Sequence, residues 1–252
     1  MTLPDLMSGI VLTGHGGPET LEMRHDLPVP SPGPRDVIIR VTAAGVNNTD
    51  INTRTAWYSK GDAQDADASW SGKPLEFPRV QGADVCGEIV SVGTEVAPHR
   101  IGERVLIEPC IRVADGMTQN PPWYFGSECD GGFAQFTRVD TRHAFTVKSE
   151  LTDIELASFP CSYSTAENML TRANLKPRET VLVTGASGGV GSAAVQLARA
   201  RGAKVIAITS SAKMDTLLDL GADRTLPRDA DLVSELGRGS IDVVVASVAG
   251  YN

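Results

Sequence analysis

The stretch Val181-Leu182-Val183-Thr184-Gly185-Ala186-Ser187-Gly188-Gly189-Val190-Gly191 decides the reading of this chain. An apolar, β-branched run enters a glycine-dense turn, and residues 192–201, rich in Ala and Leu, continue as a helix. Strand, turn and helix in that order form the first unit of a dinucleotide-binding fold. Ala186, Gly188 and Gly191 occupy the three glycine slots of the fingerprint, with Ala in place of the first, and Ser187, Gly189 and Val190 complete the loop. Gly188 leaves room for backbone N–H groups to approach a pyrophosphate, and Gly191 lets the helix pack closely on its strand. The free N–H groups and the positive dipole end at the helix start favour the diphosphate charge.

A glycine fingerprint alone also describes any tight turn between strand and helix, so its context matters. A second apolar strand covers residues 204–209, a helix follows over 213–220 with Gly221 as its stop, and a third strand covers 241–246. Alternating strands and helices of this length predict a doubly wound parallel sheet. An NAD-specific fold places an acidic residue at the end of the second strand, to hold the ribose 2′-hydroxyl. Here that position is Thr209, followed by Ser210, Ser211 and Lys213. Hydroxyls and an ammonium suit a 2′-phosphate, which predicts NADPH.

The upstream part reads differently. Short strands at residues 10–12, 36–44, 82–93, 104–107, 132–139 and 144–147 are separated by Gly, Asp and Pro, the pattern of a β-barrel-like unit. Pro28, Pro30, Pro32 and Pro34 make an extended connector, and residues 57–78 read as a polar loop carrying Trp57, Tyr58 and Trp70. Thr152 and Glu155 form a capping box, a second helix covers 162–172, and Pro177 marks the hand-over to the nucleotide unit. The expected division is 1–160 and 161–252.

A net charge of −8 with no basic block excludes a nucleic-acid surface and an anionic-membrane surface. No stretch reaches the length of a membrane span, so the expectation is a soluble cytoplasmic protein acting on a small molecule. Cys86, Cys110, Cys129 and Cys161 contain no C-x-x-C pair and fit neither a disulfide framework nor a closed zinc site.

Several motifs in one order carry a resemblance: Ala43-Ala44-Gly45-Val46-Asn47, Gly82-Ala83-Asp84 through Val92-Gly93, Ile101-Gly102-Glu103-Arg104-Val105, Gly131-Gly132-Phe133-Ala134, and Val181 through Gly191. With these the chain resembles the medium-chain dehydrogenase/reductase superfamily, above all its zinc-independent quinone and enone reductases. The resemblance implies a GroES-like β-barrel domain, a Rossmann-type domain, and NADPH in the cleft between them. Thr184-Gly185-x-x-x-Gly189-x-Gly191 also matches short-chain dehydrogenases, but none of Tyr58, Tyr124, Tyr163 and Tyr251 is followed by Lys four positions on, which rules against that family.

Zinc enzymes of the superfamily use a Cys in the first motif, a His in the second and a later Cys. Asn47 and Ala83 stand at the first two positions here and only Cys161 remains, so no metal is expected. Asp84 is a conceivable ligand but reads better as a buried, hydrogen-bonded carboxylate. Without a Lewis acid, a conjugated carbonyl or quinone is the easier hydride acceptor, since its developing charge delocalises. By resemblance, the Asn47 amide bonds to the substrate carbonyl or the nicotinamide end, Thr49 donates or relays a proton, and Asp50, grouped with these catalytic candidates, orients backbone. The alternative for Asn47 is an Asx turn ending a strand. Thr165 matches a family position contacting the nicotinamide, and Val248 is counted with the cofactor-binding residues. Competing functions are an alcohol dehydrogenase with atypical zinc ligands and an NADPH-binding protein without turnover.

The resembled family continues well past residue 252. The expectation is therefore a fragment of a longer, homodimeric protein, or an aggregation-prone and weakly active chain with about four strands of a sheet that has about six.

Overall fold

A computed structural model describes residues 3–58, 69–71 and 74–247. The chain divides into two compact units, Met1–Cys161 and Ser162–Asn252.

In the first unit the elements run β1 (Leu6–Leu12), β2 (Leu21–Pro28), β3 (Asp36–Gly45), α1 (Asn48–Arg54), β4 (Arg79–Val80), β5 (Asp84–Val92), β6 (Arg104–Ile107), β7 (Cys110–Ala114), β8 (Met117–Tyr124), β9 (Phe136–Asp140), β10 (Ala144–Thr146) and α2 (Asp153–Leu156). Helix α3 (Pro160–Arg172) straddles the boundary. A five-stranded sheet has the order β10-β6-β5-β3-β9, a three-stranded sheet the order β2-β1-β4, and β7 pairs with β8 alone. All these pairings are antiparallel. Val37, Ile39, Val85, Ile89, Val105, Ile107, Ile111 and Phe125 form the core.

The sequence reading changes at several points here, beginning with residues 21–28 and 48–54, which carry no expected element and form β2 and α1. Residues 110–124, assigned no strand, form the β7–β8 hairpin. Asp115 and Gly116 take φ of 49° and 75° at its two-residue turn. Two successive positive φ values match the twist of the flanking strands, and Asp-Gly is a sequence that adopts them. Pro121 and Pro122 cost no ladder bond, because they fall in the irregular stretch between the pairs Ile111–Trp123 and Val113–Thr118. Strand β9 begins at Phe136 rather than at residue 132, because Gly131, Gly132 and Phe133 donate their N–H groups to Val80, Gly82 and Gln81. A Cβ on Gly131 would sit 2.6 Å from the Gly82 carbonyl oxygen, so glycine is required for that close pairing.

The second unit continues with β11 (Thr180–Thr184), α4 (Gly189–Ala200), β12 (Lys204–Thr209), α5 (Met214–Asp219), β13 (Arg224–Pro227), α6 (Leu232–Leu236) and β14 (Val243–Ala246). Its sheet has the order β13-β12-β11-β14, parallel throughout. Val181 to Thr184 are all buried, as a central strand covered on both faces demands. Strand β13 is too short and polar to stand out in the sequence, and it pairs only because Ile206 to Thr209 supply a ready edge. The strand order reverses between β11 and β14, and ligands of open parallel sheets bind beyond the carboxyl ends at such a point.

Candidate functional site

The glycine turn leaves β11 at that reversal. Gly185 has φ +59° and makes the left-handed turn, one residue earlier than the slot assigned to Ala186. Ala186 is fully buried and its N–H donates to the Ile208 carbonyl at 3.2 Å, so it is a packing residue with no donor left for a phosphate. Gly188 caps α4, and its N–H donates to the Gly185 carbonyl at 3.0 Å. The N–H groups of Gly189, Val190 and Gly191, in the first turn of α4, have no intrahelical acceptor. Gly188 and Gly189 are exposed, while Ser187 and Val190 are half-buried.

Gly191 and Gly188, the two glycines in the fingerprint slots, differ in what enforces them. A Cβ on Gly191 would lie 2.3 Å from the Gly185 carbonyl oxygen and 2.7 Å from the Ala186 Cα, which rigid backbone cannot yield. A Cβ on Gly188 would meet nothing closer than 3.5 Å. Packing explains the first glycine. The second leaves open space beside free N–H groups, which is the cradle a dinucleotide phosphate fills.

At the end of β12 the sequence reading needs a correction. Thr209 is 1% exposed and its hydroxyl is enclosed without a hydrogen-bond partner, so it does not present itself to a ribose phosphate. The last three residues of β12 are all buried, as in a parallel strand covered on both faces. Ser210 is half-buried, and Ser211 and Lys213 are exposed in a short turn of 3-10 helix. The nearest carboxylate along the chain is Asp215, in the first turn of α5. Thr165 is half-buried on α3, and Val248 lies outside the described residues.

The first unit holds a polar cluster of another kind. Asn47 is the N-cap of α1, and its backbone N–H donates to Asp50 Oδ2 at 2.8 Å, the return bond of a capping box. Its amide Nδ2 also donates to Asp84 Oδ2 at 3.0 Å. Asp84 Oδ1 accepts the Cys161 backbone N–H at 2.6 Å, and the Cys161 thiol hydrogen-bonds to the same carboxyl. The Tyr124 hydroxyl lies 3.2 Å from Cys161 Sγ. Asp50 Oδ1 accepts the N–H groups of Gly82 and Ala83 at 3.1 and 3.2 Å, which fixes the turn that leads into β5. Thr49 Oγ1 lies 3.0 Å from the Tyr58 hydroxyl.

Burial governs the protonation of this cluster. It pushes Asp50 up to about 6, against three backbone donors that favour the carboxylate. It raises Asp84 as well, opposed by Cys161 and Asn47. Burial and the neighbouring Asp84 charge raise the Cys161 thiol far above its ordinary value, and burial does the same to the Tyr124 phenol. Tyr58 and Tyr124 were not singled out by sequence reasoning. Tyr124 sits in the unrecognised hairpin, and Tyr58 in a segment read only as loop.

These residues do not fit a metal. A zinc site needs thiolate or imidazole donors around a tetrahedron, whereas Cys161 is the one thiol at these positions, Asn47 directs its amide N–H at Asp84, and Ala83 has no donor. Among the described residues no group of three or more His, Cys, Asp or Glu side chains lies close enough to hold a metal ion.

A parallel sheet with a glycine turn at its reversal, joined to an antiparallel β unit, defines the architecture of nicotinamide-dependent oxidoreductases. Residues 33–149 match the alcohol dehydrogenase GroES-like domain, and residues 189–251 the zinc-binding dehydrogenase domain. The chain belongs to the medium-chain dehydrogenase/reductase superfamily. It is 30% identical to the quinone oxidoreductase of Homo sapiens, over 98% of this chain and 68% of that protein. It is also 30% identical to the acryloyl-coenzyme A reductase of Metallosphaera sedula, over 96% of this chain and 70% of that protein. Among solved structures, a provisionally assigned alcohol dehydrogenase from Sinorhizobium meliloti 1021 is similar at 45% identity and a TM-score of 0.87, covering 99% of this chain and 71% of that one. No helix among the described residues is long and apolar enough to cross a membrane.

Proposed function

We propose that this chain carries an NADPH-dependent reductase of quinones or α,β-unsaturated carbonyl compounds that works without zinc. The observation that carries this reading is the Asn47–Asp84–Cys161 arrangement. Asn47 and Cys161, at two positions of a metal set, are both held by the neighbouring Asp84, and the Asn47 amide leaves a neutral hydrogen-bond donor in place of a Lewis acid. Bound NADPH supplies a hydride to the conjugated system, whose charge then gathers on oxygen. The second amide proton of Asn47 and the Thr49–Tyr58 hydroxyl pair are donors suited to that oxygen, and the hydroxyl pair can pass a proton to it. Gly189, Val190 and Gly191 offer N–H groups to the diphosphate, and Ser210, Ser211 and Lys213 offer hydroxyls and an ammonium to a 2′-phosphate. Acceptance of quinones and conjugated carbonyls by related proteins agrees with this chemistry.

Steady-state oxidation of NADPH and NADH against a panel of quinones, enones and simple aldehydes tests the reading. The expected outcome is turnover of the first two classes, with NADPH bound at least about tenfold more tightly than NADH. Dialysis against a strong chelator leaves that activity unchanged. Stoichiometric zinc lost together with activity, or alcohol turnover alone, would instead make it an alcohol dehydrogenase. Tight NADPH binding with no turnover of any substrate would make it a binding protein.

A further inference from the structure

Asp84 is almost wholly buried at the start of β5, and it contacts two distant pieces of the chain at once. Its Oδ1 takes the Cys161 N–H at 2.6 Å and its Oδ2 takes the Asn47 Nδ2 at 3.0 Å. The backbone holds the pair in register, since Gly45, two residues before Asn47, stands opposite Asp84 across the β3–β5 ladder. A Cβ on Gly45 would meet the Asp84 Cβ at 3.1 Å and the Ala157 carbonyl oxygen at 2.7 Å, so the approach depends on glycine.

A carboxylate accepts hydrogen bonds and cannot donate them. Facing Asn47, it admits only the NH2 end of the amide, and the carbonyl Oδ1 with the second N–H is turned elsewhere. An amide that donates to a carboxylate also gains acceptor strength at its carbonyl oxygen, because hydrogen bonds in a chain polarise one another. The backbone of Asn47 is already pinned by Asp50, so rotation of the amide is the freedom that remains.

We propose that Asp84 is a positioning residue that fixes which end of the Asn47 amide faces a bound ligand. The role rests on the proposed reductase function only for its kinetic consequence, and the hydrogen bond itself can be tested without turnover.

Asp84→Asn is the informative variant. It keeps shape, and its Oδ1 still accepts the Cys161 N–H, but its NH2 now faces Asn47 and requires the Asn47 carbonyl there, which inverts the amide. In 15N-labelled protein, one side-chain NH2 proton of Asn47, assigned by its loss in Asn47→Ala, is expected to be downfield and slow to exchange with solvent. Asp84→Asn should move that resonance to the ordinary exposed range while the first unit's unfolding midpoint changes little. An unmoved resonance overturns the proposal.

Kinetics give the second readout. Asp84→Asn should lower kcat about tenfold and leave the KM for NADPH unchanged, and Asn47→Ala/Asp84→Asn should be no slower than Asn47→Ala alone. Full additivity of the two substitutions would assign Asp84 a structural part only and overturn the positioning role. A chain with the expected NMR behaviour and no reductase turnover would sink the proposed function and leave the assignment of Asp84 intact.

Discussion

The glycine turn of the second unit and the Asn47–Asp84 cluster of the first are built by opposite means. The turn uses backbone only: eleven consecutive residues, 181–191, carry the strand, the left-handed Gly185, the cap at Gly188 and the donors that follow. Its side chains matter mainly by being absent. The cluster draws single side chains from residues 47, 50, 84, 124 and 161, and no two of its cross-chain partners lie within thirty positions of each other. A backbone device tolerates change everywhere except where a Cβ would strike main chain. A side-chain device is exposed to every partner it has.

The largest effect that could break this contrast lies within the turn itself. Gly191→Ala puts a methyl 2.3 Å from the Gly185 carbonyl oxygen. Overpacking against backbone costs about 3 kcal/mol or more, enough to disrupt a small sheet. Amide hydrogen exchange should show β11, β12 and β14 losing protection. All three tryptophans, Trp57, Trp70 and Trp123, lie in the first unit, so their fluorescence reports that unit separately. Gly188→Ala should leave the fold untouched and weaken NADPH about tenfold or more. Equal stability of the two variants would show that the turn is not packed as described.

Asp50 tests whether the cluster's burial is real. Its folded value of about 6 lies above the ordinary 3.8. The contribution of this group to stability is therefore fully present below pH 4 and is lost as pH rises through 6, a swing of about 3 kcal/mol. Asp50→Asn cannot ionise. Its unfolding free energy, followed by tryptophan fluorescence in urea, should gain on the wild type by up to that amount between pH 4 and pH 7. A difference that stays flat with pH would mean that the carboxylate is solvated.

Asn47→Ala is next in size. Removing one donor to a developing oxyanion should lower turnover roughly tenfold to a hundredfold with NADPH affinity intact. An unchanged rate would leave Asn47 with its capping role alone. The smallest change is Lys213→Glu, which replaces an ammonium by a carboxylate beside the expected 2′-phosphate. It should cost NADPH about tenfold, on the order of 1.4 kcal/mol, and leave NADH nearly unaffected in a direct titration. Equal losses for both cofactors would remove Lys213 from cofactor choice.

Local sequence determined β11, α4, β12, α5 and β14 of the second unit, though not β13 or α6. A buried strand, a glycine turn and an amphipathic helix each depend on residues within a few positions, so residues 181–191 announce them without help from the rest of the chain. The same locality made the Thr152–Glu155 capping box and strands β3, β5, β6 and β12 legible. The Asp115-Gly116 signal for the β7–β8 hairpin was local too, but the neighbouring prolines masked it. Tertiary structure alone decided the remainder. Whether Thr209 faces ligand or core depends on what packs against β12, and Ala186 lost its donor to Ile208, twenty-two positions away. The pairing of Asn47 with Asp84, and of Asp84 with Cys161, exists because the β3–β5 ladder and the start of α3 converge there. A motif can list such residues, but only folding brings their hydrogen-bonding atoms within reach, and burial then sets their charge.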